Sequence, residues 1–294
     1  MFIKSGFVCI IGRPNVGKST LLNQIVGQKI AIVSDKPQTT RNRILGICTN
    51  DEGQAVFLDT PGIQRPRHRL GEYMLKVVRR AMDGVDLLLY VVDAAAPTGP
   101  GEEFILNQVG GVRTPVILVL NKIDLIRKDG LLPVMEWYSR RGAFLEIVPA
   151  SALTGANLDQ VKRLIFDNLP EGPYYYPQEM VTDQPERFVA AEIIREKVLL
   201  LTREEVPHSI AVVVEEMQTR ANQTLYLPAV IYVERESQKG ILIGKSGQML
   251  KEIGRLARLE LEALFGNKIF LELWVKVKKE WRDNESALQS FGYE

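Results

Sequence analysis

The residues best suited to chemistry form a glycine-rich motif near the N-terminus. Residues 12–19 read GRPNVGKS, a complete Gly-x-x-x-x-Gly-Lys-Ser phosphate-binding loop. In such a loop, backbone N–H groups surround the α- and β-phosphates at a helix N-terminus, the lysine reaches the β/γ-oxygens and the serine binds Mg²⁺. The sequence therefore predicts a nucleotide site. Its expected phosphate-side residues are Gly12, Asn15, Val16, Gly17, Lys18, Ser19 and Thr20.

Two further motifs each end an apolar run. Asp59-Thr60-Pro61-Gly62 ends the run at 55–59, where the Asp59 carboxylate can hold Mg²⁺ through water and the Gly62 N–H can meet a γ-phosphate. Asn121-Lys122-Ile123-Asp124 ends the run at 116–121. There the Asp124 carboxylate can accept two hydrogen bonds from guanine, which adenine does not offer. We expect Asn121 to bond the base and brace the loop, and the Lys122 stem to cover the ring.

Two weaker signals complete the set. Ser151 and Ala152 follow the apolar run at 145–150, and their backbone can contact the guanine O6. Between the phosphate loop and Asp59, the polar segment 36–41 holds Thr39 and Thr40. A threonine here can bind Mg²⁺ when GTP orders the segment, although both could equally lie in a solvated loop.

In this order, the phosphate loop, Asp59–Gly62, Asn121–Asp124 and the Ser151-Ala152 pair resemble the G domain of the translation-factor class of GTPases. The resemblance implies GTP and GDP as ligands, with Mg²⁺ held by Ser19, Thr40 and Asp59. It therefore favours Thr40 over Thr39. The residues that it connects with GTP hydrolysis are Lys18, Thr40 and Gly62.

Position 63 bears on the rate of hydrolysis. Ile63 stands where Ras-like proteins carry a water-positioning glutamine, and an isoleucine cannot orient water. The expected intrinsic rate is therefore slow, roughly 10⁻⁴ to 10⁻² per second.

Asn15 and the apolar residue at 63 resemble the Era and TrmE GTPases, some of which bind K⁺ where an arginine finger would act. The resemblance makes Asn15 a candidate K⁺ ligand.

The elements that must position these residues follow from periodicity. The chain has 294 residues, room for about two domains. Up to about residue 170, helical patterns alternate with strand-like runs at 7–11, 43–49, 55–59, 86–93, 116–121 and 145–150. This predicts an α/β G domain with a mostly parallel sheet and helices on both faces. The turn-like residues 50–53 predict an antiparallel hairpin between 43–49 and 55–59.

A proline-rich stretch, 170–177, then indicates a junction where its three tyrosines pack. We predict a G domain over 1–170, a linker over 171–182 and a second domain with a C-terminal tail over 183–294. The segment 183–186 has the pattern of a helix capping box. From there the predicted order is α-β-β-α-α-β.

The second domain carries a Gly-x-x-Gly motif at 244–247, between two predicted helices. The segment from Gly240 to Ser246 does not match a second phosphate loop. Only three residues separate Gly240 from Gly244, whereas the motif requires four, and all three are bulky aliphatic residues. The motif and element order instead resemble an α+β KH-like fold of the prokaryotic type (type II), in which the glycines let the backbone clamp RNA phosphates. The RNA-binding residues predicted on this basis are Ile243, Gly244, Lys245, Ser246, Gly247 and Lys251.

Charge and composition are consistent with this. Lys and Arg total 37 against 36 Asp and Glu, so an RNA surface must come from local clustering. Residues 239–282 contain ten Lys or Arg and five acidic residues. Cys9 and Cys48 are expected to be reduced core residues. No apolar run reaches the roughly 20 residues of a membrane span, and no signal-peptide pattern is present.

Over essentially the whole chain, this combination resembles the Era family of bacterial GTPases. The resemblance implies binding to 16S ribosomal RNA near its 3′ end and a role in assembly of the small ribosomal subunit. GTP would order 28–43 and 60–69 and thereby alter how the RNA domain is presented. The expected protein is a cytoplasmic monomer with no DNA partner, and a peripheral membrane pool is left open.

Two other functions remain open at this stage. One is a P-loop kinase, against which the guanine motif and the lack of an acceptor motif argue. The other is an RNA-binding module whose G domain has negligible hydrolysis, against which the intact Lys18, Ser19 and Asp59 argue.

Overall fold

The computed structural model describes residues 3–293, which form two compact units. The first unit contains the residues up to Pro66 together with Met74–Asp183. The second contains Arg67–Tyr73 and the chain from Gln184 onward. Each unit has its own sheet.

The first unit alternates strands and helices. Its elements are β1 (Ile3–Ile11), α1 (Lys18–Val26), β2 (Ile44–Asn50), β3 (Gly53–Asp59), α2 (Arg69–Met82, which begins in the second unit), β4 (Leu87–Asp93), α3 (Pro100–Val109), β5 (Val116–Asn121), α4 (Lys128–Ser139), β6 (Glu146–Pro149), α5 (Leu158–Asn168) and β7 (Glu171–Gly172). The sheet order is β2-β3-β1-β4-β5-β6, with β7 against β1. The β2–β3 and β1–β7 pairs are antiparallel and the others parallel. The predicted mostly parallel sheet is confirmed.

The central strands form because their sequences are apolar on both faces. All six residues of 87–92 in β4 are completely buried, as expected for a parallel strand covered on both sides. Such strands present their carboxyl ends at one edge of the sheet, where open α/β folds bind ligands. Here β1 ends at Ile11, β3 at Asp59 and β5 at Asn121. The predicted motifs therefore converge on one edge.

The predicted β2–β3 hairpin is confirmed and has a clear local cause. Asn50 Oδ1 accepts hydrogen bonds of 3.0 Å from the N–H groups of Glu52 and Gly53, which closes the turn. Gly53 has a φ of 157°, and a Cβ there would lie 1.7 Å from the Lys4 carbonyl oxygen. Only glycine fits at this close approach of two strands.

The segment predicted as a linker, 171–182, lies in the first unit. Its β7 pairs with β1, and the side chain of Gln54 accepts hydrogen bonds from the N–H groups of Tyr175 and Tyr176 at 2.9 and 3.0 Å. The Tyr175 ring lies 4.8 Å from the Phe7 ring. The segment is therefore ordered by pairing with the first sheet, which its irregular sequence does not indicate.

The second unit has the predicted α-β-β-α-α-β order with short additions. Its elements are α6 (Glu186–Leu201), α7 (Val206–Ser209), β8 (Ala211–Val214), β9 (Gln218–Thr219), β10 (Leu225–Val233), α8 (Glu236–Ile243), α9 (Gln248–Phe265), β11 (Ile269–Val277) and α10 (Glu285–Ser290). The sheet order is β11-β10-β8, with β9 beside β10. Strand β11 runs parallel to β10, whereas β8 and β9 run antiparallel to it.

Two local predictions in this unit are wrong. The predicted capping box does not form, since Pro185 occupies the N-cap position of α6 and Asp183 lies two residues outside it. The strand expected over 209–216 is limited to β8, because the chain before it forms the short helix α7.

Cys9 and Cys48 are free thiols, as expected; Cys9 is fully buried in the core, whereas Cys48 is only partly buried. Burial raises the pKa of both thiols.

Among residues 3–293, every helix is too short or too polar to cross a membrane.

Candidate functional site

The phosphate loop connects β1 to α1 and owes its shape to residues with positive φ. Gly17, at the N-cap of α1, has a φ of 97°, and Asn15 has a φ of 63°. A Cβ at Gly17 would lie 2.2 Å from Nδ2 of Asn121. Glycine thus allows the base motif to approach the loop backbone, at a helix N-terminus suited to anions.

Lys18 is buried inside this loop. Its ammonium donates to the carbonyl oxygens of Gly12 at 3.3 Å and Arg13 at 2.9 Å. Burial lowers the pKa of Lys18 to about 8, although the carboxylates of Asp59 and Glu102 act in the opposite direction. A phosphate oxygen near the ammonium would offset this desolvation.

Three oxygen-bearing side chains predicted to hold Mg²⁺ meet beside the loop. The Ser19 hydroxyl donates to Asp59 Oδ2 at 2.6 Å and lies 2.9 Å from the Thr40 hydroxyl, which is 3.5 Å from the same carboxylate oxygen. The Thr39 hydroxyl instead donates to the Lys36 carbonyl oxygen at 2.6 Å. The structure therefore brings Thr40, not Thr39, to the other two residues.

Asp59 shows why this cluster suits a cation. Its Oδ1 atom is buried and finds no hydrogen-bond partner among the described residues. Burial raises the pKa of Asp59 to about 6, against the opposing effects of Lys18 and of the bonds from Ser19 and Thr40. A carboxylate and two hydroxyls are hard oxygen ligands of the kind that Mg²⁺ prefers. The residues present fit this metal.

The segment after Asp59 lies directly against the phosphate loop. A Cβ on Gly62 would be 2.5 Å from the Pro14 nitrogen, so glycine is needed for this contact. The next residue, Ile63, donates its N–H to the Gly12 carbonyl oxygen at 2.9 Å, and its side chain is only 2% exposed. The isoleucine thus packs in the core, where it cannot orient a water molecule.

The base motif is tied to the loop after β6. Asn121 Nδ2 donates to the Val16 carbonyl oxygen at 2.7 Å, and Asn121 Oδ1 accepts from the Ala152 N–H at 2.8 Å. The Ser151 hydroxyl donates to Asp124 Oδ1 at 2.6 Å, which orients the exposed Asp124 carboxylate. Asn121 braces the loop as expected. The guanine contacts of Asp124 and Ala152 stay predictions.

Lys122 is held by a residue that the sequence analysis missed. Its Nζ lies 2.6 Å from Oδ2 of Asp93, the last residue of β4. Lys122 also has a φ of 64°, so its backbone is in the left-handed region. The sequence does contain a signal for Asp93: it is an acidic residue at the end of an apolar strand run, between the motifs at 59–62 and 121–124.

Some of these groups border a cavity of about 430 Å³. The predicted residues on its wall are Asn15, Gly17, Lys18, Ser19, Thr20, Thr40, Gly62 and Lys122. Its further lining includes Ile32, Val33, Ser34 and Asp35, which the sequence analysis did not single out. The other predicted nucleotide residues, Gly12, Val16, Asp59, Asn121, Asp124, Ser151 and Ala152, are not on this wall.

A second candidate site lies at the Gly-x-x-Gly turn between α8 and α9. Gly244, Ser246 and Gly247 have positive φ values of 72°, 51° and 78°. A Cβ on Gly244 would be 2.7 Å from that of Met249, whereas a Cβ on Gly247 would meet no atom within 4 Å. Gly244 therefore has a packing role, and the backbone at Gly247 is open to a ligand.

A groove of about 610 Å³ runs from this turn between α9 and β11. Of the predicted RNA residues, Gly247 and Lys251 line it, while Ile243, Gly244, Lys245 and Ser246 do not. Its other lining residues are Leu250, Gly254, Arg255, Arg258, Leu271 and Leu273. The spacing of Lys251, Arg255 and Arg258, which places them on one helix face, was the signal available in the sequence.

Comparison with protein families matches both units. A model described as "50S ribosome-binding GTPase" matches residues 7–122. A model described as "KH domain" matches residues 205–282.

Individual relatives match the whole chain. GTPase Era of Carboxydothermus hydrogenoformans is 56% identical over 294 residues, covering 100% of this chain and 99% of its own. GTPase Era of Heliobacterium modesticaldum is 55% identical, with 99% and 98% covered. Two similar crystal structures are an Aquifex aeolicus Era variant bound to GDP and AlF₄⁻ (TM-score 0.95) and an Era complex with MgGDPNP and nucleotides 1506–1542 of 16S ribosomal RNA (TM-score 0.96). Each is 45% identical, with 99% of both chains covered.

Proposed function

The chain belongs to the Era family of GTPases, and we propose that it hydrolyses Mg²⁺-bound GTP to GDP and phosphate and binds 16S ribosomal RNA to assist assembly of the small ribosomal subunit. One observation supports the proposed hydrolysis of Mg²⁺-bound GTP. Ser19, Thr40 and Asp59 meet beside the phosphate loop, with a buried carboxylate oxygen of Asp59 left without a hydrogen bond in the described structure.

We assign the nucleotide contacts as follows. The loop backbone from Gly12 to Gly17 and the ammonium of Lys18 bind the phosphates, and Thr20 contributes to the wall of the same cavity. The Gly62 N–H meets the γ-phosphate. Asp124 reads the guanine, supported by the hydrogen bond that it accepts from Ser151.

In hydrolysis, the chain's residues bind and orient rather than react covalently. Lys18 stabilises the charge that develops on the transferred phosphoryl group, and Gly62 fixes that group by its N–H. Bound Mg²⁺, held by Ser19, Thr40 and Asp59, neutralises phosphate charge. Because Ile63 is buried, these residues supply no side chain for positioning water at this point, which supports a slow intrinsic rate.

For RNA we propose the groove between α9 and β11. Gly247 admits a phosphate close to the backbone, with Lys245 and Lys251 as cationic contacts, and Ile243, Gly244 and Ser246 shape the turn. The apolar Leu250, Leu271 and Leu273 accept bases. The RNA in the Era complex comes from 16S ribosomal RNA, which supports the small subunit as the partner.

We further propose that the functional division follows the predicted ranges, 1–170 for the G domain and 183–294 for the RNA domain, joined by 171–182. Residues Arg67–Tyr73, which follow the Gly62 segment, are grouped with the second unit. There the imidazole of His68 lies 3.3 Å from the carboxylate of Asp283. This supports a mechanism in which ordering of 60–69 by GTP alters RNA binding. We place the protein in the cytoplasm as a monomer.

Single-turnover hydrolysis of radiolabelled GTP tests the catalytic assignment. The Thr40→Ala protein should lose most activity, and the neighbouring Thr39→Ala protein, whose hydroxyl bonds locally, should retain it. Equal rates in the two variants would contradict the Mg²⁺ ligand set.

A comparison of K⁺ with Na⁺ at constant ionic strength tests Asn15 as a K⁺ ligand, since equal rates in the two salts exclude that role.

Binding of the 1506–1542 RNA to the full chain, measured by fluorescence anisotropy, tests the RNA assignment. We expect saturable binding that weakens with salt. A protein that hydrolyses GTP but does not bind this RNA would limit the function to a GTPase with another partner. Transfer of the γ-phosphate to a small acceptor would instead indicate a kinase.

A further inference from the structure

Strand β11 separates two different surfaces of the second unit. Leu271 and Leu273 line the groove against α9. Because side chains alternate along a strand, Phe270 and Trp274 point to the opposite face of the sheet. Phe270 is 49% exposed and Trp274 is 55% exposed. Two large aromatic side chains are thus half exposed on the outer face of an edge strand, next to the groove.

The ring of Phe270 is held in a defined stack. It stacks against the ring of Tyr226 on β10, with centroids 5.9 Å apart and an interplanar angle of 28°. The Arg220 guanidinium lies 4.5 Å from the Tyr226 centroid and 4.8 Å from that of Phe270. The Tyr226 hydroxyl donates to Glu272 at 2.5 Å. These contacts fix an aromatic surface that still leaves half of Phe270 accessible.

The charge near Trp274 favours a polyanion. Residues 268–279 contain four lysines, Lys268, Lys276, Lys278 and Lys279, and one acidic residue, Glu272, which is bonded to Tyr226. Lys276 is exposed and shares the outer face with Trp274, two residues away. Glu215 lies close to Tyr226, so the Arg220 end of the surface is more balanced in charge. The basic end is therefore the one at Trp274.

We propose that this outer face, formed by Phe270, Trp274 and Lys276, is a second RNA contact. Unpaired bases that leave the groove pass over the edge of β11 and stack on Trp274 and Phe270, while Lys276 meets the backbone phosphate. The inference rests on the proposed RNA function of the groove and extends its footprint. Aromatic side chains with nearby cations bind single-stranded RNA in this way, with little dependence on base identity.

The spacing of the two rings suits separate bases. Phe270 and Trp274 are four residues apart on β11, which corresponds to about 13 Å along an extended strand. That is several times the spacing of about 3.4 Å between stacked neighbouring bases. Each ring therefore accepts its own unstacked base, and loss of one ring should leave the contact at the other.

Two RNA probes separate this face from the groove. One is the RNA of nucleotides 1506–1542. The other is the shortest fragment of that RNA that still binds the parent protein. We expect Trp274→Ala and Phe270→Ala each to weaken binding of the longer RNA by about tenfold, because base–aromatic stacking contributes on that scale. Binding of the short fragment should stay within about twofold, since the groove is intact.

Trp274 also provides a direct signal. The chain has three tryptophans, Trp137, Trp274 and Trp281, and Trp281 is completely buried. Stacking of a base on Trp274 should quench its fluorescence when the longer RNA binds. The Trp274→Phe protein should keep the affinity but lose this quenching. Leu200→Ala, which removes a similarly exposed apolar side chain from α6, serves as the matched control.

The outcomes distinguish the proposed RNA function from the second RNA contact on β11. If the parent protein does not bind the RNA of nucleotides 1506–1542, the proposed RNA function itself fails. If the parent binds and the alanine variants bind both RNAs as tightly, the second contact is refuted. Equal losses for both RNAs would refute it as well, because the residues would then act on the groove. Parent-like RNA binding with weakened binding to 30S subunits would assign this face to a ribosomal protein instead.

Discussion

The side-chain amide of Asn121 donates a hydrogen bond of 2.7 Å to the main-chain carbonyl oxygen of Val16, which lies 105 residues earlier. The same side chain accepts a bond from the Ala152 N–H. Asn121 thus connects three segments: the phosphate loop, the end of β5 and the loop after β6. The base and phosphate parts of the site are consequently braced against each other before a nucleotide binds.

Replacement of Asn121 by alanine should weaken binding of GTP and of GDP by similar factors, about 10- to 100-fold, because the phosphate loop and the base segment would no longer be held together and each nucleotide would have to order them. Isothermal titration calorimetry measures both affinities. Asn168→Ala removes a comparable side-chain bond to a backbone carbonyl at the exposed end of α5 and should leave them unchanged. A variant that lost only GTP affinity would indicate a γ-phosphate role instead.

Asp124→Asn should shift base preference from guanine toward xanthine nucleotides, since an amide can donate to the 2-oxo group of xanthine. Ser151→Ala should weaken GTP binding without changing preference, because it removes only the bond of 2.6 Å that orients the carboxylate. Competition of GTP, XTP and ATP for a fluorescent nucleotide measures both effects. Unchanged GTP affinity in the Asp124→Asn protein would show that this motif does not read the base.

Asp59 should make the stability of the nucleotide-free and Mg²⁺-free protein depend on pH. Burial raises the pKa of this carboxyl from 3.8 to about 6, so between these values the folded state holds a proton that the unfolded state has lost. The stabilising contribution is complete below about pH 4 and disappears as pH rises through about 6.

Asp59→Asn should therefore increase the free energy of unfolding at pH 7 by about 3 kcal/mol in EDTA and flatten its pH dependence. The same variant should bind Mg²⁺ and GTP poorly. Urea unfolding between pH 4.5 and 7.5 measures the first effect, with Asp51→Asn in the exposed hairpin turn as the control. An identical pH slope in the Asp59→Asn and parent proteins would show that Asp59 ionises normally.

Gly247→Asp should sharply reduce RNA affinity and leave GTP hydrolysis near the parent rate. No atom lies within 4 Å of the position of the new Cβ, and aspartate tolerates the left-handed φ of 78°, so the fold should persist. The carboxylate would repel an RNA phosphate. Lys245→Ala should be milder and should reduce the salt slope of binding by about one unit. Parent-like RNA binding by a folded Gly247→Asp protein would exclude the Gly-x-x-Gly turn from the RNA site.

Two parts of the candidate sites depend on the folded path of the chain. Thr39 and Thr40 are adjacent and chemically identical, and only the family resemblance favours Thr40 at the level of sequence. Only the folded path of the segment places the Thr40 hydroxyl 2.9 Å from that of Ser19. Likewise, the spacing of the basic residues of α9 predicts that they share one helix face. Leu271 and Leu273 line the groove only because β11 packs beside that helix.

Features that depend on contiguous residues can be predicted from the sequence. These include the phosphate loop, the base motif, the Gly-x-x-Gly turn, the strand runs and the two-domain α/β and α+β organisation, since backbone conformation and side-chain period are local properties. Which distant groups meet, and how strongly burial shifts their pKa values, follows only from the folded chain. The pairing of Lys122 with Asp93, the elevated pKa of Asp59 and the two surfaces of β11 all depend on strand register and desolvation, which arise only when the sheets are assembled.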